Sequence, residues 1–70
     1  MSKSLSVSVN GEPQVVEPGM SVTAWLAAAK RDPRSVAIEL NGEILPRERY
    51  PETVFSDGDS LEVVQFVQGG

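Results

Sequence analysis

From residue 4 the chain alternates, with Leu5, Val7 and Val9 on one side and Ser4, Ser6 and Ser8 on the other. Successive side chains of an extended backbone point to opposite faces, so this period of two predicts a half-buried strand. Asn10-Gly11 follows with two residues that tolerate positive φ, the requirement of a tight hairpin turn. "QVVE" returns as a second strand stopped by Pro18-Gly19, so residues 4–17 are predicted to form a β-hairpin. The period then changes. In "SVTAWLAAAKR" the residues Val22, Trp25, Leu26 and Ala29 recur at i, i+3, i+4 and i+7. That spacing lines one face of a helix, about ten residues long here. Ser21 is its expected N-cap, Lys30 and Arg31 its expected cations at the negative end of the dipole, and Pro33 its stop.

"SVAIEL" is a compact apolar run that reads as a strand buried on at least one face, turned by Asn41-Gly42 into a short partner, "EIL", that Pro46 ends. "PRERYPETVF" holds too many breakers for a long element and predicts a helical turn or irregular loop; "SDGD" is a tight turn. "SLEVVQFV" is the last strand. The order β-β-α-β-(short β)-loop-β predicts an α+β fold of the ubiquitin-like β-grasp type. Four to five strands make a mixed sheet, one helix packs across one face, and the last strand lies centrally beside the first. A helix this short must lay its apolar stripe on the sheet. Trp25 is the expected anchor between the two, with Tyr50 and Phe55 at the core's edge and the Tyr50 hydroxyl in water.

Seventy residues suit one domain, 1–70, with a flexible tail at 68–70. The chain has neither Cys nor His. Disulfides, thiolate metal sites, thiol nucleophiles and histidine acid–base catalysis are therefore excluded. A net charge of −4 argues against a nucleic-acid partner. No stretch approaches the roughly 20 apolar residues of a membrane span, and the first residues lack a signal-peptide core, so the expected compartment is the cytoplasm.

Candidate chemistry is sparse. Arg47, Glu48, Arg49 and Glu52 read as a solvated loop with local ion pairs. Asp57 and Asp59 flank a glycine and fit a turn better than a calcium loop, and both Asn-Gly pairs need only turn chemistry. The last strand says more. If Leu61, Val63 and Val67 face the helix, Glu62, Val64, Phe66 and Gln68 face away, where a one-helix fold has nothing to cover them. Val64 and Phe66 are then either an exposed partner-binding patch or covered by neighbouring side chains. "QGG" at 68–70 has two accounts as well. It is a frayed end, or a thin arm of about 10 Å that presents the Gly70 carboxylate to a partner's cleft. Ionised at neutral pH, that carboxylate would need activation, for instance as an acyl-adenylate.

The stretch from "LNGEILPRERY" through the "DGD" turn and its apolar strand to the closing "GG" resembles the ThiS family, the ubiquitin-like sulfur carriers of bacterial thiamine biosynthesis. The resemblance implies a protein cosubstrate rather than an enzyme. An E1-like adenylyltransferase (ThiF) would activate Gly70 with MgATP, the carrier itself binding no cofactor or metal. Sulfur from a cysteine desulfurase would leave a C-terminal thiocarboxylate, and thiazole synthase (ThiG) would consume it. Gly69 and Gln68 would enter the partner's active site, Val64 and Phe66 would face it, and the free carrier would be a monomer. Two alternatives remain at this point: a carrier for another pathway, such as the small subunit of molybdopterin synthase, or a plain β-grasp interaction module.

Overall fold

A computed structural model describes residues 4–66. The strands are β1 (Leu5–Val9), β2 (Glu12–Val16), β3 (Val36–Leu40), β4 (Glu43–Leu45) and β5 (Ser60–Gln65), with α1 (Val22–Ala28) between β2 and β3. They form one sheet in the order β2-β1-β5-β3-β4. β5 runs parallel to β1 and antiparallel to β3, so the last strand is central and the sheet mixed, the ubiquitin-like β-grasp arrangement.

One face of this sheet carries the core. Val7, Val9, Val16, Val36, Ile38 and Leu61 are buried from the strands, Val22 and Leu26 from α1, and Tyr50 and Phe55 from the segment before β5. Trp25 is half-buried and meets the Phe55 ring edge-on, with centroids 5.5 Å apart. It thus joins helix to core as expected.

α1 begins where the sequence predicts, the Ser21 Oγ accepting from the Ala24 N–H at 3.0 Å. It ends earlier, after seven residues rather than about ten. Lys30 takes the left-handed conformation at φ 60°. Its N–H and that of Arg31 turn back to the Ala27 and Leu26 carbonyls, at 3.0 and 2.9 Å. These two bonds satisfy carbonyls the helix would otherwise leave bare, and they close it. Lys30 and Arg31 stand past the last turn instead of within it.

The breaker-rich stretch is a 3-10 helix over Arg47–Glu52 that packs against α1. Its tight pitch swings Tyr50 inward, leaving that residue only 2% exposed and correcting the expectation of a wet hydroxyl. Burial raises the hydroxyl's pKa above its ordinary 10.0, while the Arg47 charge and the Ile38 backbone pull it partly back. β5 also stops sooner than "SLEVVQFV" implies, at Gln65. Phe66 lies just past it, its N–H bonded to the Ser35 carbonyl at 2.8 Å. Val67 lies outside the described residues.

Candidate partner-docking site

Alternation along β5 divides its residues between the two faces. Leu61 is buried and Val63 half-buried toward α1, while Glu62 and Val64 face out. Val64 is 58% and Phe66 45% exposed, so neighbouring side chains do not cover them. Ala37 of β3 lies directly opposite Val64, extending the apolar surface. One step back along the strands Glu62 faces Glu39, and Ile44 on the edge strand, 77% exposed, faces Glu39 from the other side. Like charges directly across a ladder repel, so this pair adds nothing to the sheet but does give the apolar patch an acidic border. Gln68, Gly69 and Gly70 lie outside the described residues.

The strand that leads to the tail is held differently on its two sides. β3 pairs with it from Leu61 to Gln65, and the Ser35 carbonyl adds Phe66. On the other side β1 reaches only as far as the pairs Ser8–Ser60 and Val9–Leu61, because the chain turns away at Asn10. There the Asn10 backbone N–H still donates to the Leu61 carbonyl at 2.8 Å. Its side-chain amide then replaces the missing strand. The Asn10 Oδ1 accepts from the Val63 N–H at 2.8 Å and the Nδ2 donates to the Val63 carbonyl at 3.1 Å. Farther on, the Arg31 guanidinium donates to the Gln65 Oε1 and ties the end of β5 to the residue just past α1.

Asn41 works from the opposite side. Its N–H donates to the Ser60 carbonyl at 2.7 Å, its Oδ1 accepts from the Ser60 N–H at 2.9 Å, and its Nδ2 donates to Asp59 at 3.0 Å. Both Asn-Gly pairs thus do more than turn the chain, a correction to the turn-only expectation. Asp57 accepts from the Ser6 N–H at 2.8 Å, and Asp59 accepts from the Ser56 N–H at 2.8 Å. Asp59 thus serves the turn, as read from the sequence, while Asp57 goes beyond it and ties the turn to β1. Arg49 pairs with Glu52 at 3.1 Å in solvent. Arg47 departs from the loop reading, donating to the Pro33 carbonyl at 3.2 Å and so stitching the 3-10 helix to the chain entering β3.

Sequence reasoning thus found the outward patch and missed Asn10, Arg31 and Gln65. The Asn10 contact spans 53 residues, and nothing local to "VNGE" announces it. No described side chain is a thiol or imidazole, so the site can present and dock but holds no side-chain nucleophile of that kind.

The ThiS family profile matches residues 6–70. A thiazole synthase of Paramagnetospirillum magneticum is 39% identical over 66 residues, which are 94% of this chain but 20% of that protein. The chain therefore spans about a fifth of that relative's length. The sulfur carrier protein ThiS of Bacillus subtilis is 42% identical over 45 residues, 64% of this chain and 68% of that one. Among solved structures, the crystal structure of the thiamine biosynthesis protein ThiS from Geobacter metallireducens superposes with a TM-score of 0.75 at 39% identity, covering 94% of this chain and all of the other.

Proposed function

The chain belongs to the ThiS family, and from that premise we propose that it carries sulfur for thiazole formation as a thiocarboxylate on Gly70. An E1-like adenylyltransferase activates the end: a Gly70 carboxylate oxygen attacks the α-phosphorus of MgATP and pyrophosphate leaves. The outer sulfur of a persulfide made by a cysteine desulfurase then attacks the acyl carbon and AMP leaves. A thiol cleaves the resulting acyl disulfide, taking up the inner sulfur as a mixed disulfide and releasing the thiocarboxylate. Glycine suits this end because an acyl carbon with no Cβ beside it is the least hindered a protein offers, and Gly69 and Gln68 carry it into the partner's active site. Tethering the sulfur to a folded domain lets surface contacts, not diffusion of free sulfide, decide which enzyme receives it.

The observation that carries this reading is the anchoring of β5. The strand is hydrogen-bonded as far as Phe66, so the point from which the tail begins is fixed beside the uncovered Val64 and Phe66. That pair is the proposed docking face. A relative in which this domain forms a fifth of a thiazole synthase supports thiazole synthase as the acceptor.

The test is an intact mass after incubation with the adenylyltransferase, MgATP, a desulfurase with cysteine, and a thiol reductant. A gain equal to exchanging one oxygen for sulfur, absent from a Gly70 deletion that still folds, is the expected result. An unchanged mass with a demonstrably active adenylyltransferase refutes the assignment.

A further inference from the structure

Past Asn10 the β1 side of β5 is an open edge. Backbone groups alternate in direction along a strand, and those of Leu61 and Val63 point toward β1 and Asn10. Those of Gln65 therefore point the same way, beyond the reach of the hairpin. Among the described residues nothing accepts the Gln65 N–H or donates to its carbonyl. On the helix side of this edge lies a cavity of about 150 Å³ walled by Val9, Trp25, Ala29 and Val63, with Asn10 and Arg31 also lining it. Arg31 spends one guanidinium nitrogen on Gln65, and the described ion pairs, Arg34–Asp32 and Arg49–Glu52, do not include it. A guanidinium carries five N–H donors, so it retains donors for a carboxylate.

An unpaired strand edge, a cavity of mixed apolar and polar lining at its side and a cation beside both fit one kind of ligand, an extended peptide. We propose that a segment of the thiazole synthase partner adds to the sheet here, in line with β1 beyond Asn10, resting on the acceptor assigned above. Its backbone pairs with Gln65. Of its side chains on the helix side, a small apolar one enters the cavity and a carboxylate meets Arg31. A strand added at this place grips β5 at the residues that lead into the tail, and so fixes a direction of approach that contact at Val64 and Phe66 alone leaves open.

Amide hydrogen exchange on the labelled 70-residue chain, alone and with thiazole synthase from the same organism, tests this. Exchange at Gln65 should slow by about tenfold or more on complex formation, as one new hydrogen bond implies. Arg31→Glu should weaken binding by about tenfold or more, since it reverses a charge at a partly desolvated contact. Gln65→Pro removes a donor that β3 does not use and should weaken binding comparably. A complex that forms and accepts sulfur while Gln65 exchanges as in the free chain overturns the edge proposal and leaves the carrier reading standing. No complex at all overturns both. Because the exchange measurement uses the unaltered chain, it decides the matter even where Gln65→Pro fails to fold.

Discussion

Asn10-Gly11 and Asn41-Gly42 make the same turn, with φ of 53° and 84° at the first pair and 54° and 87° at the second. Both flank β5 and both aim an asparagine amide at its backbone. Their surroundings differ. Asn41 serves exposed Ser60 at the start of the strand and is braced by Asp59, where water can replace what it provides. Asn10 serves half-buried Val63 at a point where a whole strand is missing, and supplies both the donor and the acceptor that strand would have offered. A turn motif reports its own backbone, then, but not how much of the sheet leans on its side chain.

The largest test of that contrast is Asn10→Ala. It loses the left-handed preference and strands two half-buried backbone groups, so it should cost about 2–3 kcal/mol. Asn41→Ala should cost about 1 kcal/mol less, because water recovers the exposed Ser60. Urea midpoints measure both, and equal losses would dissolve the comparison. Next come the glycines. Nothing lies within 4 Å of a Cβ built on Gly11 or Gly42, so only conformational strain acts. Gly11→Ala and Gly42→Ala should therefore cost the same, about 1–2 kcal/mol each.

Asn10→Gly keeps the left-handed geometry and deletes only the side-chain bonds, which should cost about 1 kcal/mol. Lys30 sharpens the point by sign. It is left-handed too, at φ 60°, and no side-chain hydrogen bond of its own is among those described. Lys30→Gly should thus raise stability by about 0.5–1 kcal/mol, where the same change at Asn10 lowers it. Finally, neither turn titrates, so the gap between the two alanine variants should hold from neutral pH upward. Tyr50 does titrate. Its pKa is raised by burial above 10.0, so its contribution is complete below that value and is lost as pH climbs through the folded one. Both variants should lose stability together above pH 10, and Tyr50→Phe should remove that alkaline fall.

Much of this fold is legible in alternation and breakers. "SLSVSV", the 3.6-residue stripe on Val22, Trp25 and Leu26, and two Asn-Gly pairs specify strands, helix and turns without reference to one another. Outward Val64 was readable for the same reason, since a period of two leaves no choice of face once Leu61 is inside. Legibility fails where distant residues decide. No glycine marks the end of α1, and only the return of the Lys30 and Arg31 N–H groups stops it. Tyr50 turned inward because a 3-10 helix that starts after Pro46 and contains Pro51 delivers it there, where composition alone allowed either a helical turn or an irregular loop. The open edge at Gln65 exists because β1 ends at Val9, opposite Leu61, while β5 runs on to Gln65, a mismatch visible only when the two are paired.

The Asn10 clamp has a chemical consequence as well as a mechanical one. Asparagine followed by glycine is a weak joint in any polypeptide: the glycine nitrogen attacks the side-chain carbonyl carbon, ammonia leaves, and water opens the resulting succinimide to aspartate or isoaspartate. With Oδ1 and Nδ2 both engaged at Val63, the Asn10 amide is not free to swing toward the Gly11 nitrogen. Folding should therefore slow the ageing of this joint. Peptide masses after matched incubation, folded and in urea, measure it, and equal conversion at Asn10 would show that the clamp gives no protection. Where conversion does occur, the new carboxylate meets the Val63 carbonyl with an acceptor in place of a donor, so chemical damage at a surface turn would loosen the strand that leads to the tail.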